Sequence, residues 1–287
     1  MIGLFNVIIS LASIFVFMAI MFIVAIIVKD NGIIDICWSL NFILPTIVSI
    51  LITIIYRNTI NITQIVITTL ILIWGLRLSY HIGKRNIGKG EDRRYKERRE
   101  SWGKNFYVKT FFLIFMMQAL WAAVIVSPVV VSNAIYPEVR TGWIDFNNTP
   151  TELVTLIIPL VVGILIWIFG FYFEAVGDRQ LKQFIRNPEN KGTVIESGLW
   201  KYTRHPNYFG EITMSWGIFV ITISLAISHP LLWITLIGPI LYTLLIRYVT
   251  GVPEVEKHLI TKPGYKEYME RTNPLIPWIP KSKPKEK

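Results

Sequence analysis

The sequence predicts an all-α integral membrane protein of about seven transmembrane helices, with the N-terminus outside and the C-terminus cytoplasmic. Three observations predict it. Of 287 residues, 53% are hydrophobic and only 17% charged, with a mean hydropathy of +0.49. Soluble chains carry roughly 25% charged residues, so there is too little charge here to coat a soluble particle. Long apolar runs recur along the chain, and the formal charge is nonetheless +10, from 29 Lys and Arg against 19 Asp and Glu. A chain that apolar and still basic must gather its charge in few places.

Residues 1–28 contain no charged side chain, more than the roughly 20 apolar residues that a bilayer span requires. The run lacks a basic n-region and is too long for a signal-peptide core, so it is expected to be a retained span. Further runs cover 33–56, 62–82, 106–132, 151–173, 207–228 and 230–250. The last two are separated only by Ser228, His229 and Pro230, which leaves two spans or one re-entrant hairpin. Cys37 is the single cysteine. It excludes an intramolecular disulfide and any Cys-rich metal site, and no metal centre is expected.

Charge placement tests the span count. With seven spans, segments 29–32, 83–104, 174–206 and 251–287 share one face and hold 1, 9, 6 and 8 Lys and Arg, 24 of the 29. The opposite segments hold only Arg57 and Arg140. The positive-inside rule makes the heavy face cytoplasmic. Dropping one internal span would scatter the basic segments over both faces.

Ionisable residues inside apolar runs are expensive and mark polar sites. Asp35, Arg77, His81, Glu174, Glu211 and Arg247 all fall within a turn or two of the basic boundary, which predicts a polar pocket opening on that face. Asp178, Lys182 and Arg186 recur every four residues, so they share one face of a helical extension of the fifth span. Gly198 and Pro206 punctuate a short stretch holding Trp200, Tyr202, Arg204, His205, Asn207 and Tyr208. Pro206 suits the first turn of a helix. Asn207, Tyr208 and Glu211 would then stand at a helix N-terminus, where free N–H groups favour anions. Arg204 and His205 add cationic donors beside it.

The run Gly198-Leu199-Trp200-x-Tyr202-x-Arg204-His205-Pro206-Asn207-Tyr208-x-Gly210-Glu211 resembles the C-terminal signature of the steroid 5α-reductase and sterol reductase superfamily. Gly177-Asp178-x-Gln180-Leu181-x-x-Phe184 resembles its large bacterial branch, the membrane proteins of domain of unknown function 1295. Arg77-Leu78-x-x-His81, Glu91-Asp92-x-Arg94-Tyr95, and Tyr265-x-x-Tyr268-x-x-Arg271 followed by Leu275-Ile276-Pro277 extend the likeness over most of the chain after residue 30.

The resemblance implies a seven-helix reductase in which NADPH delivers hydride to the β-carbon of an α,β-unsaturated ketone in a lipid-like substrate. A multi-pass place in a bacterial inner (plasma) membrane goes with it. On this reading 1–287 is a single membrane domain. Residues 1–82 form helices 1–3 on the lipid and substrate side, and 83–104 form a basic cytoplasmic loop. Residues 106–250 form helices 4–7 with the cofactor-binding loop 174–211, and 251–287 form a cytoplasmic tail. Asp178 and Asn207 match cofactor-contacting positions, as does one tail tyrosine, Tyr268 better than Tyr265. Glu211 matches an acidic position near nicotinamide and substrate. Lys182, Arg186, Arg204, His205, Tyr208, Arg271 and Arg94 are further expected cofactor contacts. Characterised relatives polarise the substrate carbonyl with a tyrosine and a glutamate from their N-terminal half, but no Glu precedes Glu91 here. The role would pass to Asp35, with Tyr80, Trp74 or Trp38 as donor and Arg77 or His81 as cationic alternatives.

The remaining basic residues of 83–104 are expected to meet anionic membrane lipid. The final KSKPKEK is expected to be a solvated tail. No folded basic face outside the membrane is predicted, which argues against nucleic acid as a partner. The Arg204-His205-Pro206-x-Tyr208-x-Gly210 fragment also resembles S-adenosylmethionine-dependent membrane methyltransferases of isoprenylcysteine and phospholipids. A transporter would place polar groups near the bilayer midplane, whereas these gather at one end.

Overall fold

The computed structural model describes residues 2–88, 90–135, 150–227 and 229–282, with backbone alone for 150–153. Arg140, Lys89, Ser228 and the last five residues of the expected tail lie outside them. Among the described residues every regular element is helical. Seven helical stretches are long and apolar enough to cross a membrane: Ile2–Val28, Ile33–Arg57, Ile62–Asn86, Arg93–Ile125, Val154–Arg186, Pro206–Ala226 and Pro230–Leu259. The chain is thus a multi-pass integral membrane protein, and 207–250 divides into two stretches of spanning length.

The first helices are α1 (Ile2–Val28), α2 (Ile33–Cys37), α3 (Leu40–Arg57) and α4 (Ile62–Asn86). The expected loop 83–104 is in part a helix, α5 (Arg93–Trp102). Asp92 caps it by accepting from the Arg94 amide at 2.9 Å, and Arg93 pairs with Glu97 one turn on at 2.8 Å. Interleaved charges that read as a loop are therefore spaced to support a helix. The fourth stretch continues through α6 (Phe106–Thr110), a π-helical segment (Phe111–Met116) and α7 (Met117–Ile125). It stops short of residue 132 because Pro128, which has no N–H to give, opens α8 (Ser127–Ala134) instead. Then come α9 (Pro150–Arg186), α10 (Pro206–Ala226), α11 (Ile237–Leu244), and two short tail helices, α12 (Val252–Leu259) and α13 (Tyr265–Arg271). The helical extension of the fifth span runs to Arg186, as the Asp178 spacing predicts.

The chain forms two compact units, Met1–Leu160 with Ile221–Gly238, and Val161–Val220 with Pro239–Lys287. In the first, α1 buries Asn6, Ser10, Ile14, Met18 and Ala25, a stripe with helical spacing. Its polar end feeds a hydrogen-bonded network. Asn6 Nδ2 donates to the Ser49 carbonyl at 2.9 Å and to Thr53 Oγ1 at 3.0 Å. Thr53 Oγ1 donates to the Asn133 carbonyl at 2.6 Å, and Asn133 Nδ2 to Ser49 Oγ at 2.9 Å. Gln64 closes a capping box with Asn61 and also donates to the Asn133 carbonyl at 3.0 Å. Lipid offers polar side chains nothing, so helices meet one another's; such bonds contribute on the order of 0.6 to 2 kcal/mol each.

The second unit is organised by glycine. Gly163, Gly170 and Gly177 stand seven residues apart on α9 and meet Gly217, Gly210 and Pro206 of α10 in antiparallel order. A Cβ on Gly210 would lie 2.5 Å from both the Gly170 carbonyl oxygen and the Glu174 nitrogen. One on Gly217 would lie 2.8 Å from the Gly163 carbonyl oxygen and the Trp167 nitrogen. The two backbones touch directly, the close approach that small residues permit between membrane helices. Gly210→Ala is expected to cost about 1–3 kcal/mol by forcing that contact apart. Gly83→Ala, whose new Cβ would meet only side-chain carbons at 3.6 Å and beyond, should be neutral or slightly stabilising. Thermal unfolding of the two variants in one detergent checks the contrast.

Candidate functional site

Residues 198–206 form a turn held from two sides. Gly198 takes φ +62°, a conformation glycine adopts without strain, and this brings the Leu199 amide to Gln180 Oε1 at 3.0 Å. Trp200 Nε1 donates to the Gly177 carbonyl at 3.1 Å. From the other side comes the tail. Thr203 Oγ1 donates to the Leu275 carbonyl at 2.8 Å, the Arg204 amide to the Asn273 carbonyl at 2.9 Å, and the Trp278 amide to the Tyr202 carbonyl at 2.9 Å. The Tyr268 hydroxyl donates to the Trp200 carbonyl.

Arg204 stands at the centre. Its Nε and Nη2 donate to the two oxygens of Glu256 at 2.7 and 3.2 Å, and Nη1 donates to the carbonyls of Met269 and Thr272 at 3.0 and 2.6 Å. His205 Nε2 meets Glu256 Oε1 at 3.0 Å, and its ring stacks on Tyr208 at 5.4 Å. Burial holds the His205 imidazole below its ordinary range, with the bond to Glu256 only partly offsetting it. Burial likewise pushes the Tyr265 and Tyr268 phenols up, so both stay protonated. Arg271 pairs with Glu196. Arg204, His205, Tyr268 and Arg271, expected at the cofactor, are thus engaged with the protein itself, and they lock the turn to the tail.

The first turns of α10 carry a different set. Asn207 Oδ1 is buried and has no hydrogen-bond partner. Gly177 comes close enough that a Cβ there would sit 3.2 Å from the Asn207 nitrogen, and the adjacent Asp178 is buried. One turn further, Glu211 Oε2 accepts a 2.5 Å hydrogen bond from the buried Tyr242 hydroxyl of α11. Glu174 is fully buried on α9. Lys182 and Arg186 are exposed near the end of that helix, and Arg247 lies in the π-helical segment Leu245–Val249 that follows α11.

The other expected site residues lie in the first unit. Asp35 accepts from Arg94 Nη2 at 2.7 Å and from the Tyr95 hydroxyl at 3.1 Å, and Arg94 Nε also pairs with Asp92 at 3.0 Å. Arg94, expected on a phosphate, is committed to carboxylates. Asn31 Nδ2 and Arg99 Nη2 converge on Glu91 Oε1 at 2.7 and 2.8 Å. Burial pushes the Glu91 and Asp92 carboxyls up, but the bonds from Arg99, Asn31 and Arg94 outweigh it and hold both below their usual range. Tyr80 is 68% exposed and accepts from Lys84 at 3.2 Å. Arg77 and His81 are half-buried on α4. The six ionisable residues that predicted one pocket divide three and three between the units.

A family model described as a protein of unknown function, DUF1295, matches residues 21–272. The chain belongs to the DUF1295 family. No curated protein and no solved structure matches it. The match spans both units of this DUF1295 chain, including the turn, the α10 residues and the tail.

Two participants leave no mark in the sequence. Glu256 and Tyr242 sit 52 and 31 positions from the residues they hold, and no local spacing announces such pairs. The glycine seam was legible, since Gly163, Gly170 and Gly177 share one helix face. His205 supplies a pH test. Its imidazole is lowered in the fold, so below the ordinary value of 6.5 the unfolded chain binds a proton the native chain refuses, and stability falls as pH drops. Unfolding temperature should decline on acidification from about pH 7 to pH 5.5, and His205→Gln, which keeps a donor to Glu256, should flatten that decline.

Proposed function

We propose that this DUF1295 protein is a membrane-embedded NADPH-dependent reductase of an activated carbon–carbon double bond in a lipid-like molecule, a steroid-like or isoprenoid enone. The observation that carries the reading is the start of α10. There a buried amide oxygen at Asn207 lacks a protein partner, and one turn on a carboxyl and a phenol share a 2.5 Å hydrogen bond. A buried acceptor without a donor is costly, about 1–3 kcal/mol, and the amide or hydroxyl groups of a nicotinamide nucleotide offer the donor. The resemblance of the 198–211 run to the steroid 5α-reductase signature supports the same assignment.

In this reading Asn207 and Asp178 hold the polar part of NADPH beside α10. Lys182 and Arg186, exposed on α9, are the cations available to its phosphates, because Arg204 and Arg271 are engaged with Glu256 and Glu196. When bound, NADPH supplies a hydride to the β-carbon. The Tyr242 hydroxyl, oriented by Glu211, delivers the matching proton to the α-carbon, so that C=C becomes a saturated bond. Burial of Tyr242 and Glu174 keeps water from that proton path. The basic segments face the cytoplasm of a bacterial inner membrane, where the nucleotide is found, and the substrate enters from the bilayer.

Titration of the purified protein with NADPH and with S-adenosylmethionine tests the class. NADPH is expected to bind and the methyl donor not; tight binding of S-adenosylmethionine with no response to NADPH would overturn the reading in favour of a methyltransferase. Asn207→Ala should weaken NADPH at least tenfold. Tyr242→Phe and Glu211→Gln should fold and bind NADPH but lose about 10²–10⁴-fold in turnover, the usual contribution of a positioned acid. Full activity in both would remove the pair from the mechanism.

A further inference from the structure

Asn41 opens the first turn of α3 and is 0% exposed, yet neither its Oδ1 nor its Nδ2 has a hydrogen-bond partner. Among the described residues it is the one side-chain amide with both atoms in that condition. Its backbone is affected as well. The carbonyl of residue 41 would ordinarily accept from the amide of residue 45, but that residue is the buried Pro45, which has none. Two unmet side-chain atoms therefore stand beside a gap in the helical hydrogen-bond ladder.

The neighbours show that this is not a general looseness of α3. Ser39 Oγ donates to the Gly75 carbonyl at 2.8 Å, Thr46 Oγ1 to the Phe42 carbonyl at 2.7 Å, and Ser49 Oγ to the Thr46 carbonyl at 2.9 Å. Buried polar groups are met in the great majority of cases, and an exception calls for a ligand or a water. An amide presents both a donor and an acceptor and carries no charge. It therefore suits a neutral oxygen, a ketone, ester carbonyl or alcohol, rather than an ionised headgroup. The surroundings agree. Trp38, one turn earlier and half-buried, packs edge-on against Phe42 at 5.4 Å, and Phe42 against Trp74 at 5.2 Å. The preceding carboxylate, Asp35, is committed to Arg94 and Tyr95.

We propose that Asn41 is the polar contact of a binding site, within the first unit, for a neutral oxygen-bearing apolar molecule whose hydrocarbon part lies against this aromatic wall. The site stands on its own observations and does not require the reductase reading. Its occupant is either a neutral membrane lipid or a lipid-soluble substrate, which share the same carbonyl or hydroxyl chemistry.

The test titrates detergent-purified full-length protein with dioleoylglycerol, cholest-4-en-3-one and pseudoionone, and with squalene as an oxygen-free reference, following tryptophan emission. At least one oxygenated probe is expected to bind wild type ten-fold or more tighter than squalene. Asn41→Leu should abolish that preference while leaving squalene binding unchanged. It should also unfold at the wild-type temperature or above, because an apolar isostere no longer leaves an amide unmet. If Asn41→Leu does not fold, Asn41→Ala carries the same titration. Equal binding of all four probes by wild type would mean that trapped water or nothing meets the amide, and a preference that survives in the variant would place the contact elsewhere; either overturns the site. Preference for dioleoylglycerol identifies a lipid occupant, and preference for an enone a substrate. The reductase reading stands or falls by the NADPH and S-adenosylmethionine titration alone, whichever probe Asn41 holds.

Discussion

Backbone contact between α9 and α10 is the constraint on which the second unit depends. Glycines seven residues apart return to one helix face after two turns, so Gly163, Gly170 and Gly177 line a single seam against Gly217, Gly210 and Pro206. With no side chain between them, neither helix can slide without collision. That register sets Asp178 beside the start of α10, aligns Glu174 with Gly210, and leaves the Gly177 carbonyl available to Trp200. Dispersion forces are individually weak but act at full strength over such a contact, and in lipid they replace the hydrophobic drive that would hold soluble helices together.

Polar groups answer a second constraint, that each must find its partner inside the protein. Arg204 does so with one carboxylate and two carbonyls, and Glu256 is shared between Arg204 and His205. A charge pair so enclosed adds little net stability over an apolar pair of the same shape, but removal of one partner strands the other. Its value here is specificity of shape: the 198–206 turn has one conformation because seven tail groups accept or donate in fixed places. The same logic ties α5 to the start of α2 through Asp35 and Arg94, and to Asn31 through Glu91.

The fold was legible because lipid imposes length. A run of twenty apolar residues has few alternatives to a span, and helical spacing by itself puts Asp178, Lys182 and Arg186 on one face of α9. The interleaved charges of 93–102 hide a helix, since a polar helix lacks the apolar stripe that announces one. Within the candidate site, Asn207 and Glu211 lie at the start of α10, as Pro206 indicated. Arg204 and His205 were assigned by chemistry to an anion, and an anion does hold them, but it is Glu256 of the same chain. Uncharged polar residues such as Asn41 and Asn6 left no mark on either hydropathy or charge, so the buried network of the first unit became visible only in three dimensions.

The tail clasp has a consequence for the order of events in biosynthesis. The acceptors that close around Arg204 come from residues 256–273, and the Leu275 and Trp278 backbone completes the turn. Translation proceeds from the N-terminus, so α9 and α10 can enter the membrane and dock along their glycines while those acceptors are still unmade or inside the ribosome. Until they emerge, Arg204 and His205 remain in water at the membrane surface. The turn can therefore close only once the tail through Trp278 has been made.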